Sequence, residues 1–154
     1  MLSSQLNKPN IINPLNNRTM AYKIIDVEGI GEVYAAKLTG IGIITVEDLL
    51  EKGKTPAGRK ELAEKADISP KLILTWCNHA DLMRINGVGP QFSELLEAAG
   101  VDTVKEFRHR VAENLQPKLE EINAEKHLVG RVPGLKEVER MVEEAKQLPP
   151  VMEY

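Results

Sequence analysis

Cysteine is nearly absent. Cys77 is the only one in the chain, so no disulfide can form within it. No apolar run is long enough to span a bilayer. The N-terminal stretch lacks the apolar centre of a secretory signal. These absences point to a reducing cytoplasm and argue against a membrane partner. Charge of one sign is missing too. Lys+Arg 20 against Asp+Glu 23 leave a formal net charge of -3. A chain built to coat nucleic acid would be clearly basic, so tight non-specific binding through bulk charge is disfavoured.

The chemistry of catalysis is missing as well. There is no phosphate-binding lysine loop, nucleotide fingerprint or nucleophile-and-base arrangement. His79, His109 and His127 lie far apart and show no ligand spacing with Cys77, and a zinc site needs about four ligands. Cys77 and His79 sit at i and i+2, so on a helix they would face different sides. No catalytic residue, metal or cofactor is expected, and the chain reads as non-enzymatic.

What is present is a pair of glycine turns. Ile85-Asn86-Gly87-Val88-Gly89-Pro90 has a near-copy in Val27-Glu28-Gly29-Ile30-Gly31-Glu32. An amphipathic run follows each: Phe92, Leu95, Leu96 and Ala99 in one, Tyr34, Leu38 and Ile41 in the other. That spacing puts one apolar stripe on a helix. Each Gly-x-Gly therefore reads as a tight turn feeding a helix N-terminus, where glycine tolerates φ > 0 and close approach. Ile30 and Val88 should point inward and anchor the turns.

The two copies share a longer register. One constant offset carries Gly29, Gly31, Tyr34, Leu38, Gly42, Thr45, Val46 and Leu49 onto Gly87, Gly89, Phe92, Leu96, Gly100, Thr103, Val104 and Phe107. We read an internal duplication with a period of roughly 60 residues, longer than short solenoid repeats.

The order along the chain follows. Residues 1–19 are rich in Asn, Ser and Pro with no acidic residue, and read as a flexible leader. The plainer reading starts translation at Met20; the other keeps a functional tail. Tyr22 to Val27 reads as a short helical or irregular entry, with a brief strand as the other option. Gly40-Ile41-Gly42 stops the first helix. Thr45-Val46-Glu47-Asp48 resembles a capping box, and Thr103-Val104-Lys105-Glu106 resembles one more closely. The latter should open a helix through Phe107 to Val111. Thr55-Pro56 and Ser69-Pro70 each place a cap before a first-turn proline. The helices they begin carry Leu62, Ala63 and Ala66, then Leu72, Ile73, Trp76, Cys77, Ala80 and Met83. Leu115, Leu119 and Ile122 mark another helix, with Pro117 near its start. Leu135, Val138, Met141, Val142, Ala145 and Leu148 mark the last, which Pro149-Pro150 ends.

The expected fold is all-α: two units, about 20–80 and 81–150, sharing one core in a SAM-domain-like bundle of short helices. Helix, apolar-Gly-apolar-Gly turn, helix is the helix-hairpin-helix pattern. Two such units around a pseudo-twofold resemble the tandem fold of many DNA repair and recombination proteins. Met20-Ala21-Tyr22-Lys23-Ile24, Thr45-Val46-Glu47-Asp48-Leu49-Leu50, Gly58-Arg59-Lys60-Glu61-Leu62-Ala63, Ala80-Asp81-Leu82-Met83-Arg84-Ile85 and the Leu148-Pro149-Pro150 end extend the match. Together with Gly29-Ile30-Gly31 they resemble a bacterial family, domain of unknown function 4332, over about residues 20 to 150.

The family resemblance speaks to the fold; the helix-hairpin-helix pattern implies weak, sequence-independent gripping of a DNA or other nucleic-acid backbone by hairpin amides, helped by the positive end of the following helix. The residues nominated are Gly87, Val88, Gly89, Gln91 and Arg84 in the second hairpin, and Gly29, Ile30, Gly31 and Lys37 in the first. Glu32, Val33, Pro90 and Gln91 stand where DNA-binding hairpins usually carry Lys or Arg. Asp26, Glu28 and Glu32 would repel a phosphate, so the second hairpin is the preferred one. A wider basic patch of Lys105, Arg108, His109 and Arg110 competes with its reading as a solvated face. Arg59 and Lys60 read as solubilising charge. Trp76 and Cys77 read as core rather than a base-stacking ring or a reactive thiol. The alternative function is a protein-protein interaction module that binds no nucleic acid.

Overall fold

The computed structural model describes residues 22–154. The expected leader, residues 1–19, lies outside the described residues. Among the described residues the chain forms eight α-helices: α1 Gly31–Thr39, α2 Val46–Gly53, α3 Pro56–Ala66, α4 Pro70–Leu82, α5 Pro90–Ala98, α6 Val104–Phe107, α7 Ala112–Lys126 and α8 Leu135–Gln147. The entry before α1 is a single 3-10 turn, Ile24–Asp26, beside an isolated antiparallel bridge between Lys23 and Thr45.

Local chemistry sets most helix starts. The Thr45 hydroxyl accepts the Asp48 amide at 3.1 Å, and the Asp48 carboxylate accepts the amides of Thr45 at 3.0 Å and Ile44 at 3.1 Å. That reciprocal bonding satisfies amides the helix itself leaves open. Thr55 caps α3 through Gly58 and Ser69 caps α4 through Lys71, each followed by proline. Thr103 caps α6 by accepting the Glu106 amide at 3.1 Å. The closer-looking box there is only half made, because the Glu106 carboxylate turns to Arg110 at 2.9 Å.

Two boundaries differ from the sequence reading. α6 ends at Phe107, not Val111, because His109 and Arg110 donate three residues back, to Glu106 and Phe107. Such tight bonds close a final turn. Pro117 lies inside α7 rather than near its start. It has no amide to offer the Glu113 carbonyl, yet the helix continues around it.

The core is one cluster running through both halves of the sequence. Trp76 is 1 % exposed, and its ring lies tilted against Tyr34 with centroids 5.1 Å apart. Ile30, Leu38, Val88, Leu95 and Leu96 are all buried, so both stripes and both inward-pointing turn residues sit as expected. Leu135 does not: it opens α8 and stays exposed, while Val138, Met141, Val142 and Ala145 carry that stripe. In the first half α2 and α3 both pack on α4; in the second α6 and α7 pack on α8 or its neighbours, with α6 and α7 each touching α8. α4 also touches α5, joining the halves.

The last seven residues run back across the first half. Arg59 donates to the carbonyls of Gly53 at 2.9 Å and Glu153 at 2.8 Å, and the Glu153 amide donates to Lys54 at 2.7 Å. Arg84 and Arg108 donate to the carbonyls of Pro149 and Leu148. The Tyr154 hydroxyl reaches Asn78 at 2.7 Å. Arg59 is thus a buried clamp, not surface charge; its stem packs while its fork satisfies two carbonyls.

Candidate functional site

The two glycine turns have similar backbones at their first glycine and different ones at their second. Gly29 and Gly87 adopt φ of 90° and 92°, a left-handed conformation that favours glycine. Gly31 is also left-handed at 65°, whereas Gly89 is extended at -105°. The paired stops match better: Gly42 and Gly100 adopt 93° and 91°.

The helices that follow these turns lack the caps their neighbours have. α2, α3, α4 and α6 each open on a Thr or Ser that accepts a first-turn amide. α1 and α5 open on Ile30 and Gly89, neither of which supplies a side-chain cap. At α1 the first amides carry the partial positive charge of the helix end without a side-chain cap, whereas α5 begins on Pro90, which has no amide, so its first donor is Gln91. Within the turns themselves the Ile30 and Val88 amides donate to the carbonyls of Val27 at 3.2 Å and Ile85 at 3.0 Å. At the first turn Gly29, Gly31, Glu32 and Val33 are all exposed. Around it, the Asp26 carboxylate accepts the Lys23 amide at 2.9 Å, Glu28 is half-buried and Glu32 is exposed.

The second turn is occupied from outside. The Asn86 amide donates to both oxygens of Glu144 at 3.2 Å each. Arg140 bridges the same pair: Nη1 donates to Glu144 Oε1 at 3.0 Å, and Nη2 donates to the Asn86 carbonyl at 2.9 Å. A Cβ placed on Gly87 would meet Met141 Cε at 3.1 Å and Arg140 Nη2 at 3.2 Å. α8 thus lies across this turn, which only glycine lets so close. The other face of the turn is open: Gly87 and Gly89 line a groove of about 500 Å³ together with Tyr22, Gln91, Phe92 and Val129, and Gln91 is exposed.

Both nominated cations are engaged by the chain itself. Arg84 is 0 % exposed. Its Nε donates to Asp81 Oδ1 at 3.0 Å and its Nη1 to the Pro149 carbonyl at 3.0 Å. Nη2 lies 2.9 Å from Asp81 Oδ1 but is not aligned to bond it, so Nε makes the directional contact. The physical reason is pairing: Asp81 is 2 % exposed, and a buried carboxylate needs a cation beside it. Arg84 is therefore corrected from a phosphate contact to a core ion-pair partner. Lys37 sits in the last turn of α1, donates to the Asp67 carbonyl at 3.0 Å and lies 6.0 Å from the Tyr34 ring centre. It faces the α3–α4 link.

The wider basic patch is partly spent. Arg108 and Arg110 are half-buried; Arg110 donates to Glu106 and to the carbonyls of Ala99 and Gly100. Lys105 and His109 remain exposed.

Asp81 is the residue the sequence reading missed. Its Oδ2 accepts the Val104 amide at 2.8 Å, so one carboxylate holds Arg84 and the start of α6 together. Burial pushes its pKa up against the pull of Arg84 and of the Val104 hydrogen bond. The signal available was a charged i, i+3 pair set among Ala80, Leu82, Met83 and Ile85. The Cys77 thiol is fully buried, and burial raises its pKa to about 12. His79 is buried with Nε2 3.1 Å from Glu97. Among the described residues, no group of three or more His, Cys, Asp or Glu side chains could hold a metal ion, and no helix is long and apolar enough to cross a membrane.

No curated protein and no solved structure matches the chain. A family model does match, over residues 28–148, from the turn before α1 to the end of α8. That span holds both glycine turns and all eight helices, and the chain belongs to the family described as domain of unknown function (DUF4332).

Proposed function

We propose that the chain is a non-enzymatic module of two duplicated helix-hairpin-helix units that binds a DNA backbone weakly and without sequence preference. The duplication is supported by the paired left-handed glycines, by Thr caps at the same offset and by the recurring packing of α2 and α3 on α4 and of α6 and α7 on α8. The binding reading is carried by one observation. The helices after the two turns lack the Ser or Thr cap that opens α2, α3, α4 and α6, as do α7 and α8, but of these uncapped helices only α1 and α5 follow a left-handed glycine turn. An uncapped helix start is suited to an anion.

On this reading the first hairpin is the preferred grip, because Gly29 and Gly31 are exposed while Glu144 occupies the Asn86 amide at the second. Its amides work against the charge of Glu32 and Glu28, which keeps affinity modest and salt-sensitive. A labelled duplex titrated at about 50 mM and about 200 mM salt tests this. Glu32→Lys adds a cation at an exposed position beside the first hairpin. It should tighten binding and steepen the salt dependence. If the folded Glu32→Lys protein binds no duplex at the lower salt, the nucleic-acid reading is wrong.

A second reading, a protein-protein interaction module, is favoured by exposed apolar side chains near the first hairpin. Ile25 and Ile44 are 41 % and 52 % exposed, and the Ile24 amide donates to the Ile44 carbonyl at 3.0 Å. Val33 is 71 % exposed on the first turn of α1. Small apolar clusters of this kind mark contact surfaces when rimmed by polar groups.

A further inference from the structure

We propose that Glu144 is a built-in stand-in for a phosphate at the second hairpin, and that α8 thereby keeps the Asn86 amide and Arg140 from an outside anion. The inference rests on the nucleic-acid reading above. The Glu144 carboxylate takes the Asn86 amide with both oxygens. It also takes Arg140, whose other guanidinium nitrogen donates to the Asn86 carbonyl, at 3.0 Å. An amide and a guanidinium converging on one anion is how a phosphate is held. The anion seated there belongs to the chain itself.

Two features make this contact a gate rather than a core fixture. First, it is at the surface: the side chains of Glu144 and Arg140 are 23 % and 50 % exposed, and Asn86 is exposed. The stripe that anchors α8 is Val138, Met141, Val142 and Ala145, all buried, and it does not need Glu144. Second, the charges balance. With Glu144 in place, Arg140 is neutralised and an arriving phosphate meets a like charge. With the carboxylate neutral or swung away, the turn offers a free amide and an unpaired guanidinium. A tethered carboxylate competes at high effective concentration, so an external phosphate is kept out until Glu144 is removed.

The test is the charge of one side chain. Glu144→Gln keeps the size and removes the charge. Glu143→Gln, a neighbour 66 % exposed and 3.9 Å from Lys146, makes the same change in net charge away from the hairpin. Fluorescence anisotropy of a labelled duplex across a salt series is the readout, with circular dichroism to show both variants folded. The expected result is that Glu144→Gln binds about tenfold tighter than Glu143→Gln at low salt. The slope of log K against log salt should steepen by about 0.9, the value for one more neutralised phosphate. Adding Arg140→Gln to Glu144→Gln should return the slope to that of the parent. If Glu144→Gln and Glu143→Gln bind alike, the gate does not exist, while binding enhanced by Glu32→Lys would leave the first hairpin's role intact. If no variant binds, Glu32→Lys included, both readings fall together.

Discussion

Replacing Arg84 with Met tests how the core is held. The change keeps much of the side-chain volume, so it opens little cavity and isolates the charge. Asp81 then keeps the Val104 amide but loses its aligned partner at 3.0 Å, and the Pro149 carbonyl loses its donor. Removing one member of a buried ion pair costs about 3–5 kcal/mol, because the remaining charge stays out of water. Urea unfolding followed by circular dichroism should therefore show a large fall in midpoint with an unchanged slope. The double variant Arg84→Met with Asp81→Asn removes the stranded charge while keeping an acceptor for Val104, and should recover most of the loss. The pH dependence has a definite sign. The pKa of Asp81 is raised in the folded chain, so the folded state binds more protons than the unfolded one in the window above the ordinary Asp value. Stability falls as pH climbs through that window. Without Arg84 the native value rises further, so the Arg84→Met penalty should be smaller at about pH 5 than at about pH 8. A penalty under about 1 kcal/mol, or one indifferent to pH, would refute the view of Asp81–Arg84 as a buried pair.

Other outcomes follow from the same geometry. Cys77, with its thiol pushed to about 12, should resist a thiol reagent at about pH 8 in the native chain and react only on unfolding. Thr45→Ala should lower stability by about 1 kcal/mol, seen as a lower Tm, since it breaks the reciprocal box with Asp48. Gly53→Ala should cost about 1–3 kcal/mol, because the new methyl would collide with Cys77 Sγ, whereas Gly130→Ala has open space and should be silent. Tyr154→Phe should lower stability by about 1 kcal/mol, read as a lower urea midpoint, since it removes the 2.7 Å hydrogen bond to Asn78.

Most of the helical architecture was legible because its determinants are local. Thr45, Thr55, Ser69 and Thr103 announce helix starts within four residues of themselves. The apolar stripes announce which face is buried, and Trp76, Cys77, Ile30 and Val88 lie where their spacing puts them. Where local signals compete, the reading slipped. Glu106 had a choice between closing a capping box and pairing with Arg110, and only the placement of Arg110 against Gly100 resolves it.

The glycine turns show the same division. Sequence alone determined two glycine turns, each leading into a helix with one buried face. Tertiary structure alone decided which turn has an amide occupied by a carboxylate, because Glu144 and Arg140 come from a helix more than fifty positions away. It also decided that Arg59 and Arg84 belong to the interior. Charge patterns along a chain report what a residue is, whereas burial depends on what folds over it. Asp81 stands beside Arg84 in the sequence, but the carbonyls of Pro149 and Glu153 that complete the two arginines lie in the last residues of the chain and reach them only through folding.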